Sequence, residues 1–283
     1  MNITGLVDTH VHLWNPRVLR YPWLEDLPAL NRAWLPGDFA AATGPVEVAK
    51  LVFVECGREP GQALAEVDWI ESLVPDEPRL RGMVAHAALE QGAAARGELA
   101  RLAERPLVKG VRRLLQGETD ADFCLRPDFI AGVRLLAEFG FTFDLCIRHE
   151  QLGAVTELVR RVPEVRFVLD HLGKPPIRAG QVEPWATELR ALARLPNVSC
   201  KLSGLLTEAD WQHWRPEQLR PYLDVAVAAF GFDRVMFGGD WPVLTLAGDY
   251  SRWLAALEVC LPGVADADWE KLFRINAENF YHV

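Results

Sequence analysis

The chain has 283 residues, half of them apolar and 24% charged, with a formal net charge of −9. That composition supplies a large folded core and argues against nucleic-acid binding, which needs a basic face to meet phosphates. No run approaches the eighteen apolar residues that suggest a membrane span, and Met1–Asp8 lacks the basic start and apolar run of a signal peptide, so a cytoplasmic protein is expected.

Short apolar, β-branched runs recur along the chain, each followed by a longer amphipathic stretch. Gly5–His12 is the first predicted strand, and the irregular Pro- and Trp-rich stretch Trp14–Asp38 follows it. Lys50–Glu55 is the second, with a helix over Gly61–Leu73, and Arg81–Ala87 is the third. Leu107–Leu114 precedes a helix over Pro127–Phe139, and Phe141–Ile147 precedes one over Glu150–Val162. Val165–His171 leads to a helix over Trp185–Leu195, Asn197–Leu202 to one over Pro221–Phe230, and Arg234–Asp240 is the eighth strand. Pro163, Pro196 and Gly231 stand where helices should stop. Eight such alternations predict an α/β fold, a (β/α)₈ TIM barrel forming one domain over 1–283. An open doubly wound sheet usually has fewer strands and a Gly-rich phosphate turn, and neither GxGxxG nor GxxxxGK[ST] occurs here. The cysteines Cys56, Cys124, Cys146, Cys200 and Cys260 are odd in number and lack CxxC spacing. Those in or beside strand-like runs (Cys56, Cys146 and Cys200) read as buried thiols.

A barrel places its chemistry at the carboxyl ends of its strands. The first ends in Asp8-Thr9-His10-Val11-His12, and residues two apart on a strand face the same way, so His10 and His12 point together into the mouth. The other ends carry Glu55, His86, Arg112 and Arg113, then Arg148 and His149, then Asp170-His171, Lys201, and Gly239-Asp240-Trp241-Pro242. Burying several imidazoles and a carboxylate costs free energy unless they pair or perform chemistry. His10, His12, His171 and Asp240 are therefore assigned to function, whereas Glu55, Arg113 and Arg148 fit rim ion pairs equally well. His213 and His282 lie away from strand ends and read as surface or packing residues. Trp14 and Trp241, each beside a candidate catalytic residue, are candidate pocket walls.

These words carry a resemblance. Asp8-Thr9-His10-Val11-His12 resembles the His-x-His signature of the amidohydrolase superfamily, with His171 and Asp240 in matching places. Lys109-Gly110-Val111-Arg112, Asp170-His171-Leu172-Gly173-Lys174-Pro175, Cys200-Lys201-Leu202-Ser203-Gly204 and Gly239-Asp240-Trp241-Pro242 resemble the branch of fuconolactonases, rhamnonolactonases and 2-pyrone-4,6-dicarboxylate lactonase. The resemblance implies a distorted barrel of amidohydrolase type and hydrolysis of a small-molecule sugar-acid lactone. Binuclear members hold a carboxylated lysine at the end of strand four, where this chain has Arg112, so two metals are not expected. Lactonase members that turn over without a divalent ion imply that none is required here. One Zn²⁺ or other divalent cation on His10, His12 and Asp240, with His149 or His171 assisting, is the alternative.

Lactone opening needs a base for water, donors for the oxyanion and an acid for the leaving alkoxide. Asp240 is assigned as base and, once protonated, as acid. His10, His12, His171, Arg112 and Lys201 are assigned to polarise the carbonyl. Glu55, His86, Arg113, Arg148, His149, Trp14 and Trp241 are assigned to hold substrate. Ser203 lacks a GxSxG elbow and is a poor nucleophile candidate. A metal-dependent decarboxylase or deaminase, a lactone isomerase and a sugar-acid binding module are the competing readings. No nucleic-acid or membrane partner is expected, and the assembly is a monomer or homodimer.

Overall fold

Neighbouring residues of each strand go to opposite sides, and that alternation divides the barrel's surroundings from its lumen. In the computed structural model, which describes residues 5–283, the strands are β1 Leu6–Val11, β2 Val48–Val54, β3 Leu80–Ala85, β4 Val108–Arg112, β5 Thr142–Leu145, β6 Phe167–Leu169, β7 Val198–Leu202 and β8 Val235–Phe237. They pair in parallel in sequence order. The ring is joined between its ends where the Asp240 amide donates to the His10 carbonyl at 2.8 Å and the His12 amide to the Trp241 carbonyl at 2.7 Å. This is the (β/α)₈ barrel read from the sequence.

Leu51 and Phe53 of β2, Met83 and Ala85 of β3, and Phe167 and Leu169 of β6 join the large apolar cluster under the helices. Their neighbours Val52, Val54, Val84 and Val168, with Met236 of β8, form a separate small cluster with Phe280 and Tyr281. The helices are α1 Pro36–Thr43, α2 Ala63–Ser72, α3 Arg96–Ala103, α4 Pro127–Phe139, α5 Leu152–Arg161, α6 Trp185–Ala193, α7 Leu205–Glu208, α8 Pro216–Phe230, α9 Tyr250–Cys260, α10 Asp266–Glu270 and α11 Asn276–Tyr281. Thus Tyr281, at the end of α11, packs with the lumen residues. Among the described residues no helix is long and apolar enough to cross a membrane. All five cysteines are buried free thiols.

The helix predicted from Pro221 begins instead at Pro216, which occupies its first turn while Pro221 lies inside. Proline fits a first turn because its missing N–H would be unsatisfied there in any case. Trp14–Asp38 is also less irregular than expected, holding a 3₁₀ turn at Pro22–Asp26 and the start of α1.

Candidate active site

The lumen becomes ionic towards the strand carboxyl ends. Arg112, at the end of β4, is buried; its Nε lies 2.9 Å from Glu55 Oε1 and its Nη1 3.2 Å from Asp170 Oδ2. Lys201 on β7 is fully buried, with Nζ 2.6 Å from Asp144 and 3.0 Å from Asp170. The Tyr281 hydroxyl donates to Asp144, 2.8 Å from its Oδ2. Positive and negative groups therefore alternate through the lumen from Glu55 to Asp144. Burial opposes charging Glu55 and Asp170, but Arg112 and Lys201 respectively lead the groups that hold these carboxyls below their ordinary value. Burial likewise opposes charging Lys201, yet Asp144 and Asp170 raise its ammonium above its usual pKa.

Above this chain sits Asp240. Its Oδ1 lies 3.4 Å from His12 Nε2, 3.8 Å from His10 Nε2 and 3.9 Å from His171 Nε2. The far sides of the rings fix their orientation: His12 Nδ1 is 2.8 Å from the Val54 carbonyl, and His171 Nδ1 is 2.8 Å from Ser203 Oγ. His10 Nδ1 faces Lys201 Nζ at 3.2 Å and Asp170 Oδ1 at 3.3 Å, while Arg112 Nη1 is 3.4 Å from its Nε2. Burial lowers His10 well below the ordinary imidazole value and His171 to about 4, so both are neutral at pH 7. Burial raises the Asp240 carboxyl, but His171, His12 and His10 outweigh it and hold it well below the carboxylate range.

The backbone works to make this approach. Asp240 and His171 have φ of 53° and 54°, a region uncommon for residues with a Cβ and concentrated at functional sites. Gly204, at φ +65°, lies so close to His171 that an added Cβ would be 2.5 Å from its Nδ1. Asp8 supports the neighbouring turn, accepting from the His10 amide at 3.0 Å, the Gly239 amide at 2.8 Å and the Tyr250 hydroxyl at 2.8 Å.

A family model described as amidohydrolase matches residues 7–283. The chain belongs to the amidohydrolase family. A Burkholderia ambifaria protein named L-fucono-1,5-lactonase is 33% identical over 301 residues, covering 99% of this chain and 97% of its own. A Burkholderia multivorans protein of the same name is 34% identical over 269 residues, covering 89% and 87%. A crystal structure of an amidohydrolase from Burkholderia multivorans with bound zinc superposes with a TM-score of 0.89 at 31% identity, covering 99% of this chain and 100% of that one.

In this amidohydrolase the donor set of His10, His12 and Asp240 fits a single divalent ion. Their ligand atoms lie within 4.8 Å of one another and all three residues are buried. With His12 Nδ1 donating to Val54, its Nε2 lone pair would face the Asp240 carboxylate. A cation or a shared proton between them relieves that repulsion. His10, Asp170 and His171 form a second such group.

A cavity of about 520 Å³ opens above the cluster, and His12, Arg112, His171, Asp240 and Trp14 line it. Not every assigned residue reaches it. His10 and Lys201 lie beneath, Lys201 with its ammonium engaged by two carboxylates rather than aimed into the cavity. Glu55 faces an adjacent cavity with His86 and Arg113, and Arg113 bonds Glu90 and Glu118 at 3.1 and 2.7 Å. Arg148 donates to the Gln116 carbonyl at 3.3 Å and His149 pairs with Glu150 at 3.3 Å; neither lines the main cavity. Trp241 packs against Trp34 and Phe39.

Sequence reasoning passed over Arg58, Gln116, Lys174, Thr207 and Trp23 in the cavity wall. It assigned no role to Asp170, Asp144 or Tyr281 beneath it. Asp170 was visible beside His171, and Lys174 stood inside a quoted motif. Arg58 lies three residues beyond Glu55 in a loop without periodicity to flag it.

Proposed function

We propose that this amidohydrolase opens a sugar-acid lactone, such as fuconolactone or rhamnonolactone, to the free acid. The observation that carries this reading is the convergence of three imidazole Nε2 atoms on one buried carboxylate oxygen, on the wall of a cavity sized for a small molecule. The names of the relatives support the substrate class.

Asp240 Oδ1 accepts a proton from water as the water oxygen bonds to the lactone carbonyl carbon. Arg112, permanently cationic, and the His171 Nε2 donor stabilise the oxyanion. The ring C–O bond then breaks, and the Asp240–histidine unit returns the proton to the departing alkoxide, giving a hydroxy acid. Beneath, Lys201 and Asp170 hold His10 in place. When bound by His10, His12 and Asp240, a divalent ion supplies carbonyl polarisation and a more acidic water. Arg112 beside His10 already supplies a fixed positive charge, so we infer that such an ion binds without being required.

The test is a screen of purified protein against aldonolactones, with acid release read by a pH indicator. Opening of at least one aldonolactone well above its spontaneous rate is expected. Failure across the set, with decarboxylation or deamination of other small acids found instead, would overturn the lactonase reading.

A further inference from the structure

The ionic chain through the lumen has a loose end. Arg112 and Lys201 each lie within 3.2 Å of two carboxylates. Among the described residues Arg58, on the loop after β2, has only Glu55 Oε2 as an ion-pair partner, at 4.0 Å. Arg58 is 7% exposed, and its buried Nε has no hydrogen-bond partner among the described residues. Glu66 adds little charge beside it, because burial and Glu55 push its carboxyl up to about 8. Glu55 is in turn shared with Arg112.

A guanidinium does not neutralise itself at accessible pH, so a buried one with open donors costs free energy until an acceptor arrives. A carboxylate is the matching partner in both charge and fork geometry, whereas a hydroxyl meets one N–H and leaves the charge uncompensated. Position adds a second argument. Arg58 lines the same cavity as Asp240, His12 and His171, and also the adjacent cavity of about 1080 Å³. It therefore stands at the wall between them, where the end of a substrate held at Asp240 can meet it.

We propose that Arg58 anchors a carboxylate on the substrate, making the preferred substrates lactones that keep a second, free carboxylate. This rests on the lactonase reading above and narrows it from neutral aldonolactones to acidic ones. It adds no chemical step, since the ring ester is still the bond that breaks.

The test uses a matched pair, galactaro-1,4-lactone and galactono-1,4-lactone, which differ only in a carboxylate or a hydroxymethyl at C6. The wild type should favour the acidic lactone in kcat/KM. In Arg58→Gln that preference should fall by about 10- to 150-fold, the range of a charge-assisted hydrogen bond, chiefly through KM. Arg58→Lys should restore part of it. A merely structural role would lower both lactones together and leave their ratio unchanged, which overturns the proposal, as does a wild-type preference for the neutral lactone. Calorimetric titration with galactarate and galactonate reads the same anchor without turnover. If neither lactone opens, the lactonase reading fails. Tighter galactarate binding that is lost in Arg58→Gln would still assign Arg58 to a carboxylate, and equal binding would refute it.

Discussion

Asp240→Asn isolates the carboxylate from everything else at its position. Asn has the same shape and tolerates the left-handed backbone that Asp240 adopts at φ 53°, which most other residues resist. The 2.8 Å amide bond to His10 that helps join β1 to β8 is a main-chain contact and survives the change. What goes is the negative charge facing three imidazole nitrogens at 3.4, 3.8 and 3.9 Å, and with it the ability to accept a proton. General-base catalysis contributes about 10²–10⁴-fold, or about 3–5 kcal/mol of barrier, so kcat should fall by that factor. KM should move much less, because Asn fills the same space as Asp240 in the cavity wall. The assay is initial-rate lactone opening by pH indicator over a range of substrate concentrations, with the thermal midpoint measured on the same samples. A kcat within threefold of wild type in a folded Asp240→Asn protein would remove Asp240 from the proton transfer.

Exhaustive chelation should leave lactone opening largely intact although the preparation carries some zinc. Loss of activity that returns with added Zn²⁺ would make His10, His12 and Asp240 metal ligands first. Gly204→Ala places a Cβ 2.5 Å from His171 Nδ1 at a positive φ. It should lower kcat more than tenfold and destabilise by about 1–3 kcal/mol, and unchanged kinetics would show that His171's placement is not critical. Glu66, buried and raised from 4.5 to about 8, stays protonated in the folded chain over a range where the unfolded chain ionises. Its contribution to stability is therefore lost as pH rises from about 4.5 towards 8. Glu66→Gln should gain on the wild type across that interval in urea unfolding, and a constant difference would contradict the shift.

The sequence revealed the fold because barrel strands bury both faces and so stand out as apolar runs, and because each helix needs its own amphipathic stretch. Pro127–Phe139 was read to the residue since its proline and the following Gly140 mark both ends. The helix beginning at Pro216 was placed late because two prolines compete for its start. His10, His12, His171 and Asp240 were legible because polar residues are conspicuous at the ends of apolar strands. Their division of labour was not. Lys201 and Arg112 look alike at strand ends, yet only Arg112 lines the cavity. That difference depends on which inward carboxylates lie opposite, a matter of spatial pairing across β4 to β7. Asp144 and Tyr281, separated by 137 residues, could be joined only by folding.

The arrangement also bears on why so much charge is buried where apolar residues would pack more simply. A buried ion pair seldom stabilises a fold more than well-packed hydrophobic residues of the same volume. Here the pairs touch one of the rings that face Asp240: Lys201 and Asp170 meet His10 Nδ1, and Arg112 meets its Nε2. Because Asp170 is shared by Arg112, Lys201 and His10, a shift of any one alters the balance at the others. The apolar cluster of Val52, Val84, Val168 and Met236 includes Tyr281, whose hydroxyl holds Asp144 from the other direction. A packed apolar layer thus supports the last member of the ionic chain, Asp144, while the first, Arg58, lines the cavity. Charge is fixed where His10 must be oriented and left incomplete where a ligand can complete it.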